Sequence, residues 1–215
     1  MNLESSKNLG GIGAILILVG SLVTTYTFGI LTLIGVILVF VALHSLANYY
    51  KESGIFTNAI YSLIAGIVGV VAAAAAALYI IFDTNTLTKL IRDIYPTWNG
   101  SWSTLSSLRG MTPATSNIPM GDITSALGAL FLVLVVLWIF AIVAAFFARR
   151  SLKTLSAKAS VGLFSTGALL LIIGAFLTII FIGVILMWIA ALLIAIAFFQ
   201  IKPQPEQPAA TMAPS

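Results

Sequence analysis

Four runs of the sequence contain no Asp, Glu, Lys or Arg, and they limit the chain to very few folds. They cover residues 9–47, 55–82, 123–148 and 159–201. A helix needs about 20 consecutive apolar residues to cross a membrane. Only 7% of the residues are charged, whereas soluble domains have about a quarter. Since so few charges cannot cover a water-exposed surface, the sequence predicts an all-α, polytopic transmembrane helix bundle.

The first and last runs are each long enough for two spans. The polar stretch Thr24–Gly29 divides the first run, and Phe181–Gly183 divides the last. We therefore expect six spans in one domain over residues 1–201, with an outward interfacial loop at 83–121 and a disordered, Pro-rich cytoplasmic tail at 202–215. The expected spans are about 9–25, 28–48, 55–82, 122–148, 159–179 and 183–201.

The distribution of basic residues predicts the orientation. With six spans, seven of the ten Lys and Arg residues lie on the side of the termini, and three lie on the other side, whereas the six acidic residues divide evenly. Cytoplasmic loops are enriched in Lys and Arg. We therefore expect a multi-pass protein of the cell membrane with both termini in the cytoplasm.

The first and last pairs of spans share sequence. Residues 34–38 and 182–186 both read IGVIL, and GAIL at 13–16 resembles GALL at 167–170. The order of these matches indicates a duplicated hairpin in parallel orientation, with six residues fewer in the second copy. Small residues at regular spacing let helices approach closely in a membrane. The residues predicted to pack helices in this way are Gly13, Gly20, Ala65, Gly69, Ala73, Ala77, Gly167 and Gly174. The alternative is that the paired glycines mark broken helices around a substrate site.

The spans lack the residues that most membrane chemistry requires. Apart from Asp122 at the start of the fourth, they contain no charged side chain, and the chain has no Cys and one His, His44. A charged group inside a span usually marks an ion path or a proton relay, and a metal site needs several ligands. We therefore expect no catalytic residue, no metal and no cofactor. His44 could titrate near neutral pH, but a lone interfacial His more often forms only a hydrogen bond.

The segments between the spans carry three further features. Leu87, Leu90, Ile91 and Ile94 have helical spacing and predict a short amphipathic helix in the headgroup layer; a lid or a docking surface is the alternative. Asn99 begins an Asn-Gly-Ser sequon for glycosylation. The basic cluster between spans four and five is predicted to set the topology and to contact anionic lipid. It comprises Arg149, Arg150, Lys153 and Lys158.

Several stretches together resemble an uncharacterised family of archaeal and bacterial membrane proteins, domain of unknown function 996. They are residues 3–13, 46–51, 54–59 and 196–199, which read LESSKNLGGIG, LANYYK, GIFTNA and IAFF. The resemblance implies an archaeal source and brings no activity, cofactor or site.

Two hypotheses about function remain open. The first is a non-enzymatic structural or partner-binding role in the membrane, motivated by the small-residue helix faces. The second is a small channel or carrier for an uncharged or weakly polar solute, motivated by the repeated glycines. The expected partners are the lipid bilayer and either a second copy or another membrane protein. The net charge of +4 is accounted for by the cytoplasmic loops, so nucleic acid is not expected.

Overall fold

The computed structural model describes residues 2–82, 86–114 and 119–203, which form helices and contain no strand. The helices are α1 (Leu3–Leu22), α2 (Thr24–Thr27), α3 (Ile30–Tyr49), α4 (Ser53–Phe82), α5 (Thr86–Ile94), α6 (Met120–Ala159), α7 (Gly162–Leu177) and α8 (Ile182–Phe199). Two 3₁₀ segments lie at Trp102–Gly110 and Thr178–Ile180. Most of the predicted tail, residues 204–215, lies outside the described residues.

Six helices of the described residues are long and apolar enough to cross a membrane. They are α1, α3, α4 up to Ile81, α6, α7 with the 3₁₀ segment up to Ile180, and α8. Each corresponds to one expected span, so the all-α class with six candidate spans is confirmed. The short amphipathic helix expected around residues 87–94 is also present, as α5.

Two helices extend further than the apolar runs indicated. The structure continues α6 to Ala159, so the loop expected at 149–158 is helical. Its residues include no Gly or Pro, and Leu152 and Leu155 are buried, so packing favours continuation of the helix. Similarly, α1 begins at Leu3 because the Asn2 side chain accepts a hydrogen bond from the Ser5 amide at 2.9 Å. In both helices, the charged residues mark the limit of the apolar run, but the helix itself continues past them.

The structure turns the chain at both expected breaks. In the first hairpin, Phe28 and Gly29 have positive φ angles of 48° and 77° between α2 and α3. In the second, Phe181 alone has a positive φ angle, 64°, before α8. A residue with a positive φ angle allows the backbone to reverse its direction. After each turn the chain returns antiparallel to the preceding helix, so α3 packs on α1 and α8 packs on α7.

The chain divides into two compact units. Unit 1 comprises Met1–Ile64 and Ile142–Ser215. Within it α1 packs on α3, α7 packs on α8, and α1 packs on α8, which joins the two hairpins. Its hydrophobic core lies where α3, α6 and α8 end and α4 and α7 begin. We call this region the basic end, because seven basic residues lie there: Lys7, Lys51, Arg149, Arg150, Lys153, Lys158 and Lys202.

Unit 2, Ala65–Ala141, contains the second part of α4, α5, the 3₁₀ segment Trp102–Gly110 and the first part of α6. Trp98 is 2% exposed, and its indole Nε1 donates a hydrogen bond to Thr104 Oγ1 at 3.1 Å. An apolar cavity of about 340 Å³ is lined by α4, α5 and α6, with Leu87 and Leu90 on its wall. The apolar face of α5 therefore turns toward the other helices of this unit.

Candidate functional site

The first hairpin is closed by contact between two backbones. A Cβ atom at Gly13 would lie 2.7 Å from the carbonyl oxygen of Gly35, and one at Gly35 would lie 2.6 Å from that of Gly13. A Cβ atom at Gly20 would lie 2.7 Å from the Thr32 amide nitrogen. These distances are shorter than any van der Waals contact. Glycine is therefore required for the observed approach of α1 to α3.

The second hairpin is also closed by a close approach of two backbones at glycine residues. A Cβ atom at Gly174 would lie 2.9 Å from the carbonyl oxygen of Gly183, and one at Gly183 would collide with the carbonyl of Gly174. One at Gly167 would lie 2.9 Å from Cγ1 of Ile194. The helices α7 and α8 thus also meet at their backbones near the turn.

The two hairpins nevertheless pack in different registers. The sequence match equates Gly13 with Gly167 and Gly20 with Gly174. Gly35 contacts Gly13, but its counterpart Gly183 contacts Gly174, which corresponds to Gly20. Because the second copy has six residues fewer between its matched segments, its closest contact lies nearer the turn. The matched sequence segments of the two hairpins therefore do not make equivalent contacts.

The small residues predicted on the third span belong to unit 2. Ala65 and Ala73 are buried, and Ala77 lines the apolar cavity of about 340 Å³. A Cβ atom at Gly69 would collide with Cβ of Phe140 on α6. These positions touch other helices of the same unit. That such contacts drive helix association in a membrane stays a prediction.

Three polar contacts link helices of unit 1 and were not predicted. Oγ of Ser6 lies 2.7 Å from Oγ of Ser45, joining α1 to α3. The Trp188 indole donates to Ser21 Oγ at 2.8 Å, joining α8 to α1. The Ser151 hydroxyl donates to the carbonyl of Ile55 at 2.5 Å, joining α6 to α4. No local spacing could reveal these pairs, since the partners are far apart in the sequence.

A partly open cavity of about 190 Å³ lies among the helices of unit 1. Its walls are apolar except for Ser62 and Ser151. Thr166 lines a different cavity, at the basic end. Because the Ser151 hydroxyl donates to the carbonyl of Ile55, Ser62 is the other hydroxyl residue of this wall that a small molecule could contact.

The predicted basic cluster is divided in the structure. Arg149, Arg150, Lys153 and Lys158 all lie on α6. The Arg150 guanidinium lies 5.1 Å from the ring centre of Phe146, and Nζ of Lys158 lies 3.2 Å from a carboxylate oxygen of Glu52. Helical spacing places Lys158 about 180° around α6 from Arg149. The four residues therefore do not form one surface.

His44 lies near the end of α3 and is exposed. Its Nε2 atom is 3.3 Å from the Asn48 amide nitrogen, and its ring packs edge-on against Phe56 with centroids 4.6 Å apart. Within the described residues, no group of three or more His, Cys, Asp or Glu side chains could hold a metal ion. His44 thus contacts Asn48, one turn further along the same helix, and its place at a membrane interface stays a prediction.

Asn99 lies in the segment between α5 and the first 3₁₀ segment. Its side-chain oxygen accepts hydrogen bonds from the Ser101 amide at 2.9 Å and the Thr104 hydroxyl at 2.8 Å. The residue is exposed. Glycosylation at this sequon stays a prediction.

Two carboxyl groups meet in unit 2, Asp93 of α5 and Asp122 at the start of α6. The pKa of Asp93 is raised from its ordinary value, first by removal from water and then by the neighbouring carboxyl group of Asp122; Arg92 and Lys89 act in the opposite direction. Two carboxyl groups can share a hydrogen bond only when one of them carries a proton. The contact between α5 and α6 should therefore depend on pH.

We expect unit 2 to be more stable in mild acid than at neutral pH. Because Asp93 binds its proton more tightly when folded, the stabilisation is complete below its ordinary pKa of 3.8 and is lost as the pH rises through the raised value. An Asp93→Asn variant, which keeps a hydrogen-bond donor without a charge, should retain the stability at neutral pH. The melting temperature of both proteins between pH 4 and pH 8 tests this, and identical pH profiles would contradict it.

The chain is similar to proteins of one uncharacterised family. A family model described as protein of unknown function (DUF996) matches residues 31–192. The chain is also similar to uncharacterized protein MJ1644 of Methanocaldococcus jannaschii, with 25% identity over 201 residues that cover 94% of each chain. No solved structure matches the chain. Because the family model covers about three quarters of the residues, including four of the six long apolar helices in full or nearly so and the first part of α8, the chain belongs to the DUF996 family.

Proposed function

We propose that this protein crosses the cell membrane six times, with both termini in the cytoplasm, and has a non-enzymatic, structural or partner-binding role there. This role is supported by the backbone contact that closes each hairpin, between Gly13 and Gly35 in the first and between Gly174 and Gly183 in the second. Such contacts fill the hairpin interfaces with main-chain atoms. They are suited to holding a fixed surface rather than to opening a path.

The orientation is supported by the seven basic residues of the basic end. The chain has no Cys, so one cysteine introduced at Lys153 and another at Asn99 can be compared directly. In intact cells, an impermeant maleimide should label only the Asn99→Cys variant. Labelling of Lys153→Cys alone would reverse the orientation.

A fixed surface implies a partner, either a second copy or another membrane protein. Exposed apolar side chains are available on both units, for example Val70 on α4, Leu130 on α6 and Ile185 on α8. In native membranes, a photo-reactive amino acid placed at each position should give a protein adduct of constant mass at one face. The other faces should give lipid adducts only.

Two outcomes decide this proposal. A protein adduct that is lost when a single leucine near the reactive position is replaced by a bulkier residue supports a specific contact. Lipid adducts alone at every position, together with a monomeric protein in mild detergent, would contradict the partner-binding role. The expected adduct mass also separates a second copy from a different protein.

The cavity of about 190 Å³ favours a second candidate, a carrier for a small, uncharged or weakly polar solute. Ser62 contributes a hydroxyl to an otherwise apolar wall, and Ala59 is buried beside it. Flux of such a solute into proteoliposomes, abolished by an Ala59→Phe substitution that fills the cavity, would favour the carrier. Absence of flux for the wild-type protein would contradict the carrier hypothesis.

A further inference from the structure

Three lysines from separate parts of the chain surround one cavity at the basic end. The cavity has a volume of about 1100 Å³. Lys7 comes from the second turn of α1, Lys158 from the last turn of α6, and Lys202 follows the end of α8. Among the described residues, no acidic one belongs to its lining. The tertiary structure thus concentrates positive charge that is dispersed in the sequence.

Two glutamates near the rim reduce this charge without cancelling it. Nζ of Lys7 lies 3.9 Å from a carboxylate oxygen of Glu4, whose side chain is 79% exposed. Nζ of Lys158 lies 3.2 Å from Glu52. An exposed ion pair contributes little and competes poorly with a multivalent anion. Within the described part of the chain, three ammonium groups stand against two carboxylates, which leaves an excess of positive charge.

The amino-terminal end of α7 adds main-chain donors to the same cavity. Gly162 and Leu163, the first residues of this 16-residue helix, line it. The preceding residue, Val161, provides no side-chain cap, and there is open space around Gly162 where a Cβ atom would lie. The first amides of a helix are suited to binding an anion. Here the helix begins at a cavity whose lining also includes three lysines.

Besides polar residues such as Ser160, Thr166 and Gln200, apolar side chains line the cavity and continue onto the exposed surface of the helices. Phe199 lines the cavity and is 45% exposed, and Leu163 and Ile201 also contribute to its wall. Ile196, one turn before Phe199 on α8, is exposed as well. A ligand that fits this arrangement has a negatively charged group joined to a hydrocarbon chain.

We propose that this cavity binds the phosphate group of an anionic membrane lipid. The lysines and the α7 amides would contact the phosphate oxygens, and the acyl chains would leave along Phe199 and the exposed face of α8. This inference goes beyond the proposed function and rests on only one part of it, that the helices cross a membrane. It also changes the predicted lipid contact: of the four basic residues of the sequence cluster, only Lys158 lines the cavity.

The test compares two variants of equal charge. In one, Lys7, Lys158 and Lys202 are replaced by glutamine; in the control, Arg149, Arg150 and Lys153, which also lie at the basic end but not in the cavity lining, are replaced by glutamine. Binding of phosphatidylglycerol and of phosphatidylcholine to the full chain in detergent is measured by native mass spectrometry. A lysine near an anionic lipid contributes about 1 kcal/mol, or about fivefold in affinity.

We expect the cavity variant to bind phosphatidylglycerol about 10- to 100-fold more weakly than the wild-type protein. The control variant should change by less than about threefold, and phosphatidylcholine binding should change in neither. Equal losses in both variants would overturn the proposal, because they would indicate general attraction to the basic end. A third variant with arginine at the three cavity positions should restore binding.

Two further measurements keep the result decisive. If the triple variant does not fold, Lys202→Gln alone, which lies beyond α8, should weaken phosphatidylglycerol binding about fivefold. Inorganic phosphate tests the source of the phosphate group: binding of free phosphate as tight as that of the lipid would overturn the lipid assignment. Failure of the cross-linking experiment would leave the lipid preference intact, so the two proposals fail separately.

Discussion

A Gly13→Leu substitution is expected to separate α1 from α3 and to lower the free energy of unfolding by about 3 kcal/mol. The first atom of the new side chain would lie 2.7 Å from the carbonyl oxygen of Gly35 and 2.9 Å from the amide nitrogen of Val39. These are main-chain atoms and cannot rotate away as a side chain can. The helices must therefore move apart, which loses packing along the hairpin. Loss of helicity during titration with a denaturing detergent measures the effect.

The matched control is Gly128→Ala in α6. No atom other than those of its own helix lies within 4 Å of the position where its Cβ would be placed. Glycine in a helix interior is less favourable than alanine by about 0.5–1 kcal/mol, so this variant should be as stable as the wild-type protein or slightly more. A Gly13→Ala variant should fall between the two substitutions. If Gly13→Leu unfolded at the same detergent fraction as Gly128→Ala, the backbone contact would not exist in solution.

The second large effect is expected from Phe198→Ala, which should lower the free energy of unfolding by about 3 kcal/mol. Phe198 and Phe164 are both fully buried, and their rings meet edge to face with centroids 5.0 Å apart. Phe198 also packs over Gly10 of α1. Removal of its ring would leave a cavity where α1, α7 and α8 meet. The same detergent titration measures the loss.

Phe131→Ala in α6 is the control for this change, because Phe131 is 58% exposed and its loss creates no cavity. We expect a change of less than about 1 kcal/mol. A double-mutant cycle with Phe164→Ala should also give a coupling of about 0.5–1.5 kcal/mol between the two rings. Similar destabilisation by Phe198→Ala and Phe131→Ala would contradict the assignment of Phe198 to the core.

The sequence predicted the candidate spans well because the apolar runs and their polar breaks are local properties. The division at Phe181–Gly183 corresponds to the left-handed turn at Phe181, although that turn has no polar residue. The helix ends were predicted less well. Leu152 and Leu155 are buried by residues far away in the sequence, and this burial keeps α6 helical after Arg149 and Arg150.

The lysine cavity could not be predicted from the sequence. Lys7 and Lys202 stand at opposite ends of the chain, and Lys158 was grouped with arginines that are its neighbours only in sequence. Closure of the two hairpins, and the contact of α1 with α8, bring the three lysines around the start of α7. A pattern within one segment contains no information about this arrangement.

The sequence by itself therefore determined the class of fold, the number of candidate spans and the small residues on their faces, because each depends on the hydropathy or spacing of neighbouring residues. The tertiary structure decided which glycines touch, where helices continue beyond the apolar runs, and which basic residues share a cavity. These outcomes depend on the register between helices. That register is set by turn length and by contacts over more than a hundred residues, such as Trp188 with Ser21, so two hairpins with the same IGVIL segment pack differently.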